Sequence, residues 1–464
     1  MVYDADTLVV GGGLAGLACA VALAEKGVKP LVLERSGRLG GRAHSVTDRA
    51  SGDVIDIGPH LVHSEYRNFP AFLARLGSDG AITWQPEKVI TLVTGGRAVE
   101  IAHKALPAPF SLMPDFGRTP GLDARDFLSG RAALWRALRF DENDVDALDA
   151  VSAYEYLRGK GVSPRMIDVF WRFESMALMN VPLERCSAAA LLRVHSWLMR
   201  YRDLHFGFPA KGLGELFAAP ARRRIEAMGG RVLVDAEVTR IETRDNAHEC
   251  HVVDGRHFAA PFCVAAVPPQ DLARLHSQFA ECAAFEPCPY ISVYLWLDRK
   301  LGTERFWALL WAPERLNYDF YDLTNIRPGW ESRPSVIASN IIYSHRAEHL
   351  SDEEIIAATL REIGEFAPLA GKAEVRHAAI HRIPMAIVCP TPGVERARPP
   401  TRTALERLFL AGDWTRTHLP SSMESAVYSG FRAAEAVLAG MGRHVRMAIA
   451  PRAADGLASV LRAV

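Results

Sequence analysis

The clearest pattern of hydrophobic and polar positions lies near the N-terminus, in the stretch DTLVVGGGLAGLACAVALAEKGVKPLVLE. Residues 7–10 form a short β-branched and apolar run, which predicts a buried strand. Residues 14–26 predict a helix with small residues on one face, and residues 29–34 predict a second buried strand that ends in an acid. The stretch therefore predicts a strand, a glycine turn, a helix and a second strand, in that order.

By length alone, the same stretch also fits a membrane span or a signal core, because residues 7–24 carry no charge. However, no Lys or Arg precedes this run, Asp4 and Asp6 do precede it, and four glycines interrupt it. These features favour a buried strand and helix over a membrane-inserted leader.

The glycines in this stretch have the spacing G-x-G-x-x-G. In such a unit Gly11 permits the tight turn, Gly13 lets the backbone approach a pyrophosphate, and Gly16 lets the helix lie close to the strand. The helix N-terminus presents N–H groups and a partial positive charge to phosphates. Glu34, at the end of the second strand, is placed to accept hydrogen bonds from a ribose and to repel a 2′-phosphate. The unit therefore predicts a dinucleotide site that does not take NADP, and a ligand-free turn is the alternative.

The remaining pattern divides into a helical and a strand-rich part. Residues 149–202 carry apolar residues at helical spacing, residues 287–342 read as several strands, and residues 350–368 read as a capped amphipathic helix. These parts predict a mixed sheet flanked by helices. The basic and apolar tail after Gly442 is expected to be disordered or to lie on a surface.

Composition narrows the function classes. The chain has 464 residues with 54 basic and 54 acidic side chains, so its formal net charge is zero and no global field favours nucleic acid. The seven cysteines lack CxxC spacing and are odd in number, which favours reduced thiols in a cytosolic protein over disulfides or a zinc site. We therefore expect no metal centre and no nucleic-acid partner.

Two later motifs resemble those of the FAD-dependent amine oxidase superfamily. ERSGRLGGRAHS places Gly40, Gly41 and Arg42 soon after the first unit, and RLFLAGDWT places Gly412 and Asp413 near the other end of the chain. The resemblance implies FAD, with Arg42 at its pyrophosphate and Asp413 in its ribityl–pyrophosphate region. An arginine suits the first role because it is always charged and forms paired donors.

Two further segments fit the same resemblance. LPSSMESAVYSGFRAAEAVL predicts a helix that begins near Ser421 or Ser422, and by resemblance the amide of Met423 faces the flavin. Val238 resembles the residue that holds the adenine through its backbone. No cysteine lies in the late motif, so we expect non-covalent flavin. The resemblance implies that FAD is held by Gly11, Gly13, Leu14, Ala15, Gly16, Glu34, Arg35, Gly40, Gly41, Arg42, Gly58, Pro59, His60, Val238, Gly412, Asp413, Ser422, Met423 and Ala426.

Within the superfamily, DIGPHLVHSEYRN, LPAPFSLMP and ISVYLWLDRKL resemble plant-type phytoene desaturase and hydroxysqualene dehydroxylase. The resemblance implies hydride transfer involving a long apolar polyisoprenoid, a quinone or other electron acceptor, and peripheral contact with the inner face of a membrane. It also implies two catalytic candidates. His60 is expected near the isoalloxazine as a proton relay, with a structural histidine as the alternative. Arg299 is expected near the substrate or quinone pocket, with a strand-end surface charge as the alternative.

Other interpretations remain open at this point. His63 and Glu65 stand where these relatives are more apolar or small, which leaves the identity of the lipid open. A flavin amine oxidase that releases hydrogen peroxide, and a prenyl-lipid-binding escort protein of the same fold, are the alternatives. The aromatic candidates for lining a tunnel, each of which also fits an ordinary core, are Trp171, Phe173, Trp197, Tyr294, Phe306, Trp307 and Trp311.

The sequence therefore predicts an α/β protein in which a Rossmann-type FAD-binding domain is interleaved with a mixed-sheet and helical substrate domain. The predicted segments are 1–66, 205–270 and 400–441 for the FAD-binding domain, 67–204 and 271–399 for the substrate domain, and 442–464 for the tail.

Overall fold

The computed structural model describes residues 3–94, 96–244 and 247–463. The segments predicted above also include residues 1–2, 95, 245–246 and 464, which lie outside the described residues. The strands are β1 (Thr7–Val10), β2 (Pro30–Leu33), β3 (Ser45–Thr47), β4 (Val54–Asp56), β5 (Val62–His63), β6 (Ile82–Gln85), β7 (Ile90–Thr94), β8 (Arg97–Ile101), β9 (Phe206–Pro209), β10 (Arg231–Leu233), β11 (Val238–Arg244), β12 (Ala247–Val252), β13 (His257–Ala260), β14 (Phe262–Ala265), β15 (Pro287–Leu297), β16 (Phe306–Leu309), β17 (Asp319–Asp322), β18 (Val336–Ile341), β19 (Val375–Val388) and β20 (Leu408–Leu410).

The α-helices are α1 (Leu14–Ala24), α2 (Asn68–Leu76), α3 (Met113–Phe116), α4 (Ala124–Ser129), α5 (Arg131–Leu138), α6 (Val145–Leu148), α7 (Ala153–Gly159), α8 (Pro164–Met166), α9 (Arg172–Glu174), α10 (Ala188–Arg200), α11 (Ala219–Ala227), α12 (Pro269–Leu275), α13 (Leu323–Ile326), α14 (Asp352–Phe366), α15 (Val394–Ala397), α16 (Met423–Gly440) and α17 (Gly456–Ala463). Turns of π-helix lie at Ile167–Trp171, Ser175–Met179 and Gly214–Ala218, and 3₁₀ turns lie at Glu142–Asp144, Ser277–Ala284, Ser344–Ala347 and Pro368–Lys372.

The first sheet is parallel, with the strand order β10-β2-β1-β14-β20. Helices α1, α11 and α16 pack on one side of it, and the antiparallel strands β11–β13 with α12 pack on the other. Four of its strands, β1, β2, β14 and β20, are fully buried, as expected for a parallel sheet covered on both faces. Its strands come from the three segments predicted for the nucleotide-binding half. The structure thus confirms the Rossmann-type fold.

The second sheet is mixed, with the strand order β19-β15-β18-β17-β16-β7-β8. Because side chains alternate along a strand, it has two distinct faces. Tyr294, Phe306 and Tyr321 pack on one face, which we call the inner face. Trp307 and Phe320 pack on the opposite face, which α14 covers. Trp307 therefore belongs to the core beneath α14, whereas Tyr294 and Phe306 lie on the inner face.

Capping residues set where the two principal predicted helices begin. The Ser422 side chain accepts a hydrogen bond from the amide of Ser425, so α16 begins at Met423 as the sequence predicts. Ser351 and Glu354 form a reciprocal capping box at the start of α14. The structure confirms both helices.

The C-terminal tail is ordered against the body of the protein. Ala458 of α17 packs with Ala108 and Leu138, and the Arg452 guanidinium pairs with the Glu65 carboxylate at 2.7 Å and 2.8 Å. Of the two expectations for the tail, disorder or a position on a surface, the structure shows the second, because apolar packing and an ion pair hold the tail on the surface. None of the described helices is both long and apolar enough to cross a bilayer. All seven cysteines are free and buried.

Candidate cofactor cradle and adjoining sheet face

The first glycine turn packs so closely that side chains are excluded. Gly11 has φ +106°, and a Cβ there would lie 2.5 Å from the carbonyl oxygen of Ala266. A Cβ on Gly16 would overlap the carbonyl oxygen of Gly11. No side chain caps the N-terminus of α1, so the first amides of this helix lack intrahelical partners. Leu14 and Ala15 thus begin a helix whose N-terminus is available to an anion.

The second glycine turn lies beside the first. Gly13 forms a β-bridge with Gly40, and the positive φ of +111° at Gly40 and +60° at Gly41 turns the chain back toward α1. A Cβ on Gly41 would lie 3.1 Å from the Cα of Gly13. The two loops therefore meet at glycines, and the missing side chains leave room for the close approach of a pyrophosphate to the backbone.

Glu34 ties the first turn to the second strand. Its buried carboxylate accepts hydrogen bonds from the amide of Gly12 at 2.7 Å and from the amide and hydroxyl of Ser36 at 2.9 Å and 2.8 Å. A carboxylate has about four acceptor positions, so capacity for a ribose hydroxyl remains. Arg35 instead points outward and pairs with Asp271 at 3.2 Å. The amide of Ala236 donates to the carbonyl of Glu34 at 2.9 Å, and Val238 follows two residues later, at the start of β11.

The early and late motifs meet through Arg42 and Asp413. Their side chains form an ion pair at 2.5 Å, and the Arg42 guanidinium also donates to the carbonyl of Ala386 in β19 at 3.0 Å. The amide of Gly412 donates to the Ser429 hydroxyl at 2.8 Å. The Arg398 guanidinium, which the sequence did not single out, donates to the carbonyl of Asp413 at 2.9 Å and holds this loop in place.

The N-terminus of α16 completes the cradle. Met423 and Ala426 lie in its first turn, and the amide of Ala426 donates to the carbonyl of Ser422 at 3.0 Å. The buried Glu424 carboxylate accepts hydrogen bonds from the backbone amides of Arg67, Asn68 and Phe69, at the start of α2. A cavity beside this helix start is lined by Leu178, Asn180, Ile387, Arg398, Pro420 and Ser421.

These features fit FAD. Glycines whose Cβ atoms would fill the turn, two helix N-termini, an arginine and an acid at the end of the second strand are brought together from segments far apart in sequence. Each supplies a donor or acceptor that a dinucleotide with a flavin requires.

Gly58, Pro59 and His60 join the cradle to the inner face of the second sheet. A Cβ on Gly58 would lie 2.7 Å from the Ser292 hydroxyl, and the Asn340 amide donates to the carbonyl of Pro59 at 3.3 Å. His60 Nδ1 lies 2.7 Å from the carbonyl of Gly58. Burial lowers the pKa of His60, while the nearby Asp56 carboxylate opposes this shift. A neutral His60 at this position is able to donate or accept a hydrogen bond.

His63 and Glu65 have structural contacts that account for their presence. His63 stacks on Tyr66 with ring centroids 5.9 Å apart, and its Nδ1 accepts a hydrogen bond from the amide of Glu65 at 3.0 Å. Burial lowers the pKa of His63 to about 3, so it is neutral. Glu65 pairs with Arg452 of the tail, as described above.

Arg299 lies on the surface. Its guanidinium pairs with the neighbouring Asp298 at 2.7 Å and 2.9 Å, and 42% of its side chain is exposed. The structure does not bring it to the cradle or to the inner face, and its surroundings match a strand-end surface charge. We therefore give it no role in the site.

A group of three metal-ligand-type side chains lies outside the cradle, on strands β11 and β12. Glu242, Glu249 and His251 bring ligand-type atoms within 4.8 Å of one another, but Arg240 and Arg244 both pair with Glu242 at 2.6 Å. This carboxylate therefore already has cationic partners.

Sequence inspection missed Asp319, on the inner face of β17. Burial raises its pKa to about 6, against the opposing effect of the Tyr321 hydroxyl, which donates to it at 2.8 Å. The signal in NYDFYDL is the alternation that places Asp319 and Tyr321 on one face of the strand.

Comparison with known proteins agrees with this geometry. The chain matches the family described as flavin containing amine oxidoreductase over residues 14–438. It is 26% identical over 456 residues to the 15-cis-phytoene desaturase of Solanum lycopersicum, covering 93% of this chain and 77% of that protein. It is 24% identical to the zeta-carotene desaturase of Synechocystis sp., covering 94% of this chain and 97% of that protein.

Among solved structures, a putrescine oxidase bound to putrescine superposes with a TM-score of 0.75 at 17% identity, covering 94% of this chain and 99% of the other. At that identity the likeness concerns the fold alone. The family match spans most of the chain and includes Gly16, the second glycine turn with Arg42, and the Gly412–Asp413 loop. The protein is a member of the flavin-containing amine oxidoreductase family.

Proposed function

We propose that this protein is an FAD-dependent oxidoreductase that acts on a long apolar polyisoprenoid, by phytoene-type desaturation or hydroxysqualene-type dehydroxylation. The observation that carries this proposal is the similarity to phytoene desaturases across 93% of the chain. When bound, FAD supplies hydride transfer at its N5 atom, which is chemistry that no side chain provides.

The residues of the cradle have distinct roles in this proposal. The turn from Gly11 to Gly16 and the start of α1 bind the pyrophosphate, Glu34 binds a ribose, and Arg42 neutralises phosphate charge. The start of α16 presents amides and its positive dipole end to the flavin, which favours a reduced, anionic flavin. The absence of a cysteine from the late motif supports non-covalent binding.

His60 is the proposed proton-handling group. It is neutral because burial lowers its pKa, and its Nδ1 is engaged by the carbonyl of Gly58. Nε2 is then the nitrogen left to hold or move a proton beside the inner face. The electron acceptor in a desaturation is proposed to be a quinone or a similar small molecule.

We also propose a peripheral membrane contact, through which an apolar substrate enters. Leu106, Phe110 and Met113 are exposed in the proline-rich segment, and Leu457 and Val460 are exposed on α17, which packs against Ala108 of that segment. Exposed apolar groups clustered in this way are typical of a membrane or protein contact. Co-sedimentation of the protein with phospholipid vesicles tests this, and Phe110→Ser with Met113→Ser should weaken it.

The decisive experiment uses purified, flavin-loaded protein under anaerobic conditions. It is incubated with phytoene and a quinone, and separately with hydroxysqualene and reduced flavin, and the products are identified. Formation of either product supports the proposal. Peroxide released with amines such as putrescine would favour an amine oxidase instead. Protein that carries no visible flavin absorption after gentle purification would favour a lipid-binding escort protein.

A further inference from the structure

The inner face of the second sheet carries a row of polar side chains that crosses four strands. In the strand register, Ser292 lies opposite His381 on β19 and opposite Asn340 on β18. Phe320 lies opposite Ser339, which sets Asp319 beside Asn340. The neighbouring row on the same face includes Tyr294 and Tyr321, so the polar row is bordered by aromatic side chains.

This polar row lies against the cradle. Asn340 donates to the carbonyl of Pro59, the residue before His60, and a Cβ on Gly58 would contact Ser292. Burial raises the pKa of Tyr290, the Asp319 carboxyl adds to that effect, and the Arg42 guanidinium opposes it. Tyr290 therefore lies near both Arg42 of the cradle and Asp319, because the charges of both affect its pKa.

Ser292 and Asn340 hydrogen-bond to each other within the row, whereas Nε2 of His381 and one oxygen of Asp319 have no partner among the described residues. The Ser292 hydroxyl donates to the Asn340 side chain at 2.7 Å, and the Tyr321 hydroxyl donates to Asp319 Oδ2 at 2.8 Å. Asp319 Oδ1 is shielded from solvent and has no hydrogen-bond partner of good geometry among the described residues, although the backbone amide of Asn340 lies close enough to lower the pKa of the carboxyl. An unsatisfied buried carboxyl oxygen is costly, and a ligand is one way to complete its hydrogen bonding.

We propose that Asp319, braced by Tyr321, is a subsite for a hydroxyl group on the substrate. The assignment rests on the proposed function, because it takes the substrate to be a polyisoprenoid. It narrows that function to an isoprenoid alcohol, since a pure hydrocarbon would leave Oδ1 without a partner.

The protonation of this carboxyl favours a hydroxyl over an ammonium. Burial raises the pKa of Asp319 to about 6, so both its protonated and ionised forms occur close to neutral pH. A hydroxyl both donates and accepts and pairs with either form, whereas an ammonium only donates. No cationic side chain of the described residues forms an ion pair with Asp319, and its ionised form is stabilised only by the Tyr321 hydroxyl and by nearby backbone N–H groups.

Ligand affinity tests this subsite without relying on turnover. The oxidised, flavin-loaded protein is titrated with hydroxysqualene and with squalene, and quenching of tryptophan and flavin fluorescence gives the two dissociation constants. The variants are Asp319→Leu, which removes the polar group, and Asp319→Asn, which keeps a donor and an acceptor. Asp79→Asn, which removes an exposed carboxylate, is the matched control.

We expect the wild-type protein and Asp79→Asn to bind hydroxysqualene about tenfold more tightly than squalene. Asp319→Leu should bind both lipids equally, with no loss of affinity for squalene, and Asp319→Asn should keep most of the preference. If Asp319→Leu loses its flavin, Asp319→Ala takes its place in the comparison.

The outcomes separate this inference from the proposed function. Equal affinity of the wild-type protein for the two lipids overturns the hydroxyl subsite but leaves a polyisoprenoid oxidoreductase. A preference that survives in Asp319→Leu overturns the assignment to Asp319. Binding of neither lipid overturns the proposed function together with the subsite, and tighter binding of a long-chain amine than of hydroxysqualene assigns the carboxylate to a cation.

Discussion

Replacing Asp319 by asparagine should stabilise the protein more at pH 8 than at pH 5. The carboxyl lies on the inner face of β17, and burial raises its pKa from 3.8 to about 6. A group whose pKa is higher in the folded state favours folding while it is protonated, and the penalty appears as pH rises from 3.8 through about 6. Asparagine removes the ionisation and therefore the penalty.

The size of the effect follows from the two pKa values. Linkage gives a penalty of roughly 1.6 kcal/mol at pH 5 and roughly 3 kcal/mol at pH 8, a difference of about 1.4 kcal/mol. An unfolding entropy of about 2.1 cal/mol/K per residue makes 1 kcal/mol worth about 1 °C in a chain of this length. The difference in Tm between Asp319→Asn and wild type should thus grow by about 1.4 °C from pH 5 to pH 8.

Differential scanning calorimetry of the flavin-loaded proteins at both pH values measures this. The altered hydrogen bonding of asparagine adds an offset that does not depend on pH, so it cancels in the comparison. Asp79→Asn, on the surface, should show no such growth. A Tm difference for Asp319→Asn that is the same at both pH values would mean that the carboxyl ionises normally, and the reasoning on its burial would be refuted.

Three further predictions concern the glycine turn of the cradle, the start of α2 and the surface residue Arg299. Gly16→Ala should sharply reduce flavin retention because its Cβ would overlap the carbonyl of Gly11. The control Gly80→Ala places its Cβ in open space and should retain flavin. Equal flavin-to-protein absorbance ratios in the two variants would contradict this prediction. Glu424→Leu should cost about 3 kcal/mol of unfolding free energy, because backbone amides at the start of α2 lose their acceptor; unchanged hydrogen exchange in α2 would argue against it. Arg299→Gln should keep flavin content and turnover within about twofold, since surface ion pairs contribute little; a much larger loss in steady-state assays would place Arg299 back in the site.

The N-terminal unit shows how much local sequence can predict. Residues 7–34 specify the strand, the turn, the helix and the second strand because each signal spans only a few residues. Gly11 and Gly16 are required by contacts with atoms close in the chain or in the adjacent strand. The start of α16 is equally local, because the Ser422 side chain accepts a hydrogen bond from an amide only three residues further along the chain.

Contacts between distant segments explain the departures from sequence expectation. Glu65 reads as an anomaly until Arg452, from the tail, is placed beside it. Trp307 and Phe306 are adjacent in sequence, yet they lie on opposite faces of the sheet, so only one of them faces the cradle side. The motif around Arg299 suggests a site, but Arg299 lies two residues beyond the end of β15 and pairs with the neighbouring Asp298 on the surface.

The nucleotide-binding turn, the fold class and the family are predictable from the amino-acid sequence, since they depend on short spacings and on patterns repeated along the chain. Which polar groups lie against the cradle depends on tertiary packing. Ser292, Asp319, Asn340 and His381 come from four strands, and the sheet register alone sets them in one row. The unsatisfied oxygen of Asp319 is invisible in the sequence because satisfaction depends on every neighbour that folding brings to it.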